Sequence, residues 1–400
     1  MIDIFKARDE ADVLAFVQWA ISEDTAIEVR GGGSKRNLGR PVEIEIENVL
    51  DLSGLRGITL YEPDELVLSA HVGTPLREIE TLLSENGQEL AFEPADYGRL
   101  LGNPREQQTI GGVLATNQAG PRRIKAGAAR DHFLGMKGVT GRGDAIKSGG
   151  RVVKNVTGYD LCKLMAGSFG TLTAMTHVTV KVLPAAQRSR TILIMGLDAT
   201  QATEVMSQAM GGPHEVSAAA HLPAQVVRGS GVSYLQSADS SVTALRIEGT
   251  PISAEYRCNA LRNEFANFAD IEELHTANTS RLWREIRDVG ELLTPTAGEI
   301  WRISVAPSKG AELLTVFGGD GFIDWAGGLV WLRTAVGADA IRQKVGNDGH
   351  ATLIHGSTKS RAAIDVLQPP TPGVMALSKR IKNSFDPKHL LNPGRMYREI

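Results

Sequence analysis

The sequence predicts a two-domain α+β protein, and three observations carry that prediction. The chain has 400 residues, too many for one ordinary hydrophobic core. β-rich runs alternate with stretches of helical spacing along its length. Much of the glycine excess lies between Gly31 and Gly170, so loops of unusual backbone geometry gather in the first half.

The elements follow in order. Val13, Leu14, Phe16, Val17 and Ala20 have helical spacing and predict a helix over 9–21. A strand is predicted over 26–30, a second from the alternation Glu43-Ile44-Glu45-Ile46-Glu47, and a third over 65–70. Thr74 is the expected cap of a helix that starts at Pro75 and ends at Gly87, with Leu76, Ile79, Leu82 and Leu83 on one face. Residues 100–130 read as loops and 132–154 as strand, turn and strand; 171–176 and 178–183 are β-rich. Pro184-Ala185-Ala186-Gln187 reads as an exit from the first domain. Beyond it, strands are expected at 191–195, 243–247, 301–305, 328–332 and 351–354, with helices at 199–209, 254–268 and 335–345. Pro369-Pro370-Thr371-Pro372 is a stiff link to a last helix over 373–384. The predicted division is 1–184, 185–370 and a C-terminal segment, 371–400.

Composition excludes several classes. A net charge of −3 gives no basic surface for nucleic acid or an anionic membrane. Cys162 and Cys258 stand far apart and form no metal spacing or disulfide framework, which fits a reducing cytoplasm. Charged residues from Arg8 to Asp12 interrupt any leader-like apolar run. No apolar stretch approaches the roughly eighteen residues of a membrane span.

Three segments carry chemistry. Arg30-Gly31-Gly32-Gly33-Ser34-Lys35 follows a β-rich run. Its bare N–H groups suit phosphate oxygens, and by itself it suits a tight turn equally well. Thr109-Ile110-Gly111-Gly112 continues to Thr116-Asn117, small residues that let backbone lie against a ligand or pack a buried helix start. The third runs from Gly149-Gly150 through Lys154-Asn155-Val156-Thr157-Gly158-Tyr159-Asp160 to Gly170-Thr171-Leu172. No GxGxxG joins a strand to a helix with an acidic residue about twenty positions on, so a nicotinamide dinucleotide site has little support.

Together these segments, with the tail Phe385-Asp386-Pro387 to Asn392-Pro393-Gly394-Arg395, resemble the FAD-binding domain of the vanillyl-alcohol oxidase / p-cresol methylhydroxylase superfamily. Within it they are similar to the FAD-binding subunits of bacterial glycolate oxidases. The resemblance implies a two-lobed FAD domain of the PCMH type, an α+β cap, and a tail that returns to the FAD domain. It implies that Arg30, Gly31, Gly32, Gly33 and Ser34 hold the pyrophosphate, and that Thr109, Gly111, Gly112, Thr116 and Asn117 line the cofactor. It further sets Lys154, Asn155 and Gly158 near the flavin or ribityl chain, Gly170 and Thr171 near the adenine, and Asn392 and Arg395 on the isoalloxazine side. Some relatives attach flavin through a His in the first loop; Ser34 and Lys35 stand there instead, so FAD is expected to be non-covalent.

The resemblance also implies a complex that oxidises glycolate and D-lactate, a small 2-hydroxy acid in each case. A catalytic flavoprotein subunit and an iron–sulfur subunit would be its partners, and membrane contact would come only through them, at the inner face of the inner membrane. Catalytic relatives carry a His-rich metal and base cluster in the cap. In place of such a run this chain has His350 and His355, within residues 349–356, and their odd separation would put them on opposite faces of a strand, so no metal site is expected. His355 is the candidate base and Arg302 the candidate partner of a substrate carboxylate; an ordinary strand-end His and a surface Arg are the plain alternatives. Trp301, Trp325 and Trp331 read as core or subunit contacts. Two other functions stay open: a self-sufficient FAD oxidase or dehydrogenase, and a flavin-free scaffold.

Overall fold

The structure, a computed structural model, describes residues 3–41, 46–104, 107–152, 158–290, 292–294, 298–318 and 320–400. The chain forms two compact units. One comprises Met1–Gln118, Gly127–Ala185 and Thr358–Ile400; the other comprises Ala119–Ala126 and Ala186–Ser357. The division is thus not collinear: residues 119–126 go with the later segment, and 358–370 go with the earlier one.

The first unit contains two main sheets. Asp3–Lys6, Asn48–Asp51 and Ile27–Arg30 form a parallel three-stranded sheet with Asn48–Asp51 in the centre. An antiparallel five-stranded sheet has the order Ile58–Glu62, Val67–His71, Thr173–Lys181, Phe133–Thr140, Ala145–Gly149. A helix over Glu10–Ser22 starts where the Asp9 carboxylate accepts the Asp12 N–H at 2.8 Å. Its buried Val13, Val17 and Ala20 join Ile27, Leu50, Leu68, Val178 and Val180 in one core that both sheets share.

The tail completes the parallel sheet. Leu391 bridges Ile27 in parallel, and the Asn392 side chain accepts the Val29 N–H at 2.8 Å while donating to the Phe169 carbonyl at 2.8 Å. Lys382 and Asp386 anchor it from within. Both side chains are fully buried. The Lys382 ammonium donates to Asp386 at 2.7 Å and to the carbonyls of Thr171 and Leu391 at 2.7 and 3.0 Å.

The second unit is built on an eight-stranded antiparallel sheet. Its order is Ile271–His275, Arg188–Met195, Val242–Gly249, Ala218–Leu222, Asp320–Asp324, Leu329–Thr334, Glu299–Ser304, His350–His355. Helices over Ala199–Gly211, Pro251–Phe265, Thr276–Asp288, Gly310–Val316 and Ala338–Val345 accompany it. Residues 119–126 are fastened to it by Arg122, which pairs with Glu248 at 2.6 Å, and by the Gly120 carbonyl, which accepts the Trp325 indole N–H at 3.0 Å. Burial works to raise the Glu248 carboxyl, but Arg246 and Arg122 outweigh it and hold the group down at about 2.

Several local expectations are corrected. Thr74 is not a helix cap: its hydroxyl donates to the His71 carbonyl and accepts the Gly57 N–H, and the helix spans Leu76–Glu85. The two β-rich runs from 171 to 183 form one strand, Thr173–Lys181. Ala218–Leu222, whose alanines favour a helix in isolation, is a fully buried inner strand because tertiary packing overrides a weak local preference. The expected strand at 43–47 lies largely outside the described residues.

Candidate functional site: a glycine-lined cationic cleft

The first unit contains a cleft of about 870 Å³. Arg30, Gly31, Gly32, Gly33, Ser34, Thr109, Gly111, Gly112, Thr116, Gly170, Asn392 and Arg395 all line it. Twelve expected residues thus meet, from four regions of the chain.

The glycines are dictated by close approach. A Cβ on Gly31 would lie 2.7 Å from the Thr109 hydroxyl oxygen, and one on Gly32 would lie 2.3 Å from the Gln107 carbonyl oxygen. One on Gly111 would lie 2.6 Å from the Val72 Cβ. Gly33 and Gly170 have φ of +74° and +70°, which side chains resist. The N–H groups of Gly32, Gly33 and Ser34 have no acceptor among the described residues. Thr109 caps the short helix Ile110–Ala115 by accepting the Gly112 N–H at 3.3 Å.

Arg395 and Asn392 build the cleft from below. The Arg395 guanidinium donates to the carbonyls of Lys35, Arg36 and Arg40 at 2.8, 2.6 and 3.1 Å. Burial lowers its pKa to about 10, with Arg361 acting in the same direction. Asn392 and Arg395 line the same cleft as the glycine loop, and the side chains of both are bonded to backbone.

Lys35 was not among the expected site residues, since a lysine in a polar loop reads as solvated. Its ammonium lies 3.2 Å from the Gln108 side-chain oxygen and lines the same cleft. Burial lowers its pKa to about 8, against the pull of Asp96. With Arg30 and Arg395 it makes the cleft cationic; Arg36 is paired with Glu28 at 2.8 Å.

Three expected residues do not line the cleft. The Asn117 carbonyl oxygen accepts the Arg130 N–H at 2.9 Å, and its φ is +48°. The Thr171 hydroxyl donates to the Ser168 carbonyl at 2.7 Å. Gly158 lies elsewhere, in open space with φ +93°. Thr171 thus closes a local turn, and the Asn117 side chain ties its loop to the start of the segment at Arg130. Lys154 and Asn155 lie outside the described residues.

The second unit holds the two residues expected to act on substrate. Trp325 lies between two guanidinium groups, that of Arg302 at 4.8 Å and that of Arg123 at 4.7 Å from the ring centroid. Trp325 and Ala326 both have positive φ, 52° and 53°, an uncommon geometry for such residues that this turn must hold in place. A register shift between Ile300 and Trp301 sets His355 opposite Ile300 and His350 opposite Ser304. The parity expected of a regular strand therefore fails, and Arg302 stands between the two histidines along its strand. Burial lowers the pKa of His350, and Arg302 and Arg123 add to that. Among the described residues no group of three or more His, Cys, Asp or Glu is placed to hold a metal ion.

The cleft fits a dinucleotide with a pyrophosphate: unpaired N–H groups, glycine contacts that exclude side chains, and cationic side chains. Comparison with known proteins agrees. Residues 3–149 match the family model described as FAD binding domain. The chain is 34% identical to glycolate oxidase subunit GlcE of Escherichia coli over 97% of each chain. It is 25% identical to a D-lactate dehydrogenase of Archaeoglobus fulgidus over 99% of this chain and 91% of that one. Glycolate oxidase subunit GlcD of Bacillus subtilis is 31% identical over 37% of this chain and 30% of its own length. Alkyldihydroxyacetonephosphate synthase shares the fold, with a TM-score of 0.66 at 16% identity, over 98% of this chain and 76% of its own. The protein is an FAD-binding α+β oxidoreductase of the PCMH type, and it belongs to the family of the glycolate oxidase subunit GlcE.

Proposed function

We propose that this chain is the FAD-holding subunit of a glycolate oxidase complex that converts glycolate and D-lactate to the 2-oxo acid. In this reading it serves electron transfer or assembly beside a catalytic flavoprotein subunit and an iron–sulfur subunit. The carrying observation is the cleft itself, in which three chain-remote glycine segments and Lys35 meet in one anion-accepting cradle. Gly32, Gly33 and Ser34 would present N–H groups to the pyrophosphate, Lys35 its charge, and Arg395 would keep the loop in shape. The flavin would be held without a covalent bond. When bound, FAD supplies a two-electron acceptor, and the protein supplies position and electrostatics. The complex would lie in the cytoplasm and touch the membrane through its partners; among the described residues no helix is long and apolar enough to cross one.

A decisive experiment is anaerobic addition of glycolate to the purified, FAD-loaded chain alone. The expected outcome is that flavin absorbance persists, with reduction only when the partner subunits are added. Rapid bleaching by the isolated chain would overturn the accessory role.

One observation favours a second reading, in which the chain oxidises a 2-hydroxy acid or alcohol unaided. His350, kept neutral beside Arg302, has the protonation state of a general base, and Arg302 has the chemistry to meet a carboxylate. If bleaching occurs, loss of it in His350→Ala or His355→Ala would identify the base.

Lys35 gives a pH prediction. Its pKa of about 8 means that it is charged below that pH and neutral above it. Affinity of the FAD-free protein for FAD should therefore be full at pH 7 and decline through pH 8–9. Titration by flavin fluorescence measures this, and Lys35→Met should be weak and flat over the same range.

A further inference from the structure

The five-stranded sheet of the first unit carries a second cleft, of about 780 Å³, that shares no lining residue with the first. Its form follows from strand register. His71 lies opposite His177, His177 opposite Lys137, and Lys137 opposite Lys147. Four basic side chains thus form a row across four adjacent strands, about 14 Å long at the usual strand spacing. The neighbouring row on the same face is Ser69, Thr179, Gly135 and Gly149. Those glycines are forced by close backbone: a Cβ on Gly135 would lie 2.7 Å from the Gly150 carbonyl oxygen, and one on Gly149 would lie 2.0 Å from that of Leu134. A floor of small residues therefore adjoins two cations, Lys137 and Lys147, with His177 beside them, and Arg151 also lines the space.

Like charges directly opposite each other destabilise a sheet, so folding does not explain the row. Among the described residues no carboxylate lines the cleft, and none pairs with Lys137, Lys147 or Arg151. The Ser69 and Thr179 hydroxyls lie 2.7 Å apart; one donates to the other, which leaves one hydroxyl proton for a ligand. His177 Nε2 is 2.6 Å from the Thr59 hydroxyl, and the buried Nδ1 of His71 has no partner. Burial, reinforced by His71, Lys137 and Lys147, lowers the His177 pKa to about 4, so the ring is neutral and the charge of the row rests on the two lysines.

We propose that this cleft binds a small multivalent oxyanion, a phosphate ester or a polycarboxylate, with Lys137 and Lys147 as its counter-charges and the Ser69–Thr179 pair as its neutral donor. The site is separate from the cofactor cleft. Along Thr173–Lys181, Thr173 and Met175 line the first cleft, and His177 and Thr179 line the second.

The test uses FAD-loaded protein and its Lys137→Gln/Lys147→Gln variant, titrated with inorganic phosphate and with citrate at constant ionic strength, with chloride as control. Calorimetry and thermal unfolding are the readouts, so the result does not depend on substrate or turnover. Expected are saturable binding and a rise in melting temperature that chloride does not reproduce. Expected in the variant is a loss of affinity of roughly tenfold for each charge-assisted hydrogen bond removed. Without anion the variant should melt no lower than the wild type, because two opposed ammonium groups are gone, and its flavin content should be unchanged. Preference for phosphate or for citrate assigns the oxyanion class. A response equal to that of chloride, or equal affinity in the variant, overturns the proposal. So does a variant that melts lower without anion, since the row is then structural.

Discussion

Gly32→Ala should yield a folded protein that loses its flavin on purification. The added Cβ would stand 2.3 Å from the Gln107 carbonyl oxygen, closer than carbon and oxygen approach unless backbone moves. Either the loop, which lines the cleft, or the segment leading into the cleft-lining Thr109 must shift. Overpacking of this kind costs about 1–3 kcal/mol, which corresponds to a loss of FAD affinity of roughly five- to more than hundredfold. Flavin-to-protein absorbance after gel filtration, followed by FAD titration of the stripped protein, measures it. Gly373→Ala is the control: a Cβ there meets nothing within 4 Å, and flavin content should stay at the wild-type level. Full flavin retention in Gly32→Ala would mean that the loop is not the pyrophosphate cradle.

Lys382→Met should produce the largest loss of stability, about 3–5 kcal/mol in urea denaturation, because it leaves a buried carboxylate without its counter-charge. Asp386 is fully buried and also accepts the N–H groups of Leu390 and Leu391 at 3.0 and 2.8 Å. The pair therefore sets the path of the chain from the last helix into Leu391 and Asn392, and so reaches the cleft through Asn392. Asp386→Asn keeps part of this network and should cost less. The double variant Lys382→Met/Asp386→Asn should cost less than the sum of the two, since the residues share one network. A loss in Lys382→Met below roughly 1 kcal/mol, the range of exposed ion pairs, would show that the pair does not anchor the tail.

The cofactor site was legible in sequence where the chemistry is local. Gly31, Gly32 and Gly111 announce close approach because no other residue leaves that space, and the structure shows what fills it. Lys35 was not legible. A lysine in a polar loop reads as solvated until Gln108, 73 positions away, closes over it. Asn117 and Thr171 sit inside recognisable motifs, yet the side chain of one holds the Arg130 N–H and that of the other closes a turn; motif membership does not reveal which way a small polar group is used. The histidines of the cap show the same limit. An alternation rule put His350 and His355 on opposite faces, and one register shift in the paired strand undid it.

The amino-acid sequence by itself determined the α+β class, the FAD family and most of the glycine cradle. Each of these rests on backbone demands that neighbouring residues satisfy or violate on their own. Only the tertiary structure decided that Arg395 bonds the carbonyls of Lys35, Arg36 and Arg40, that residues 119–126 belong with the second unit, and that His71, His177, Lys137 and Lys147 form a single row. Those facts depend on contacts between segments remote in sequence and on register between paired strands, which the packing of whole sheets sets and no local spacing records.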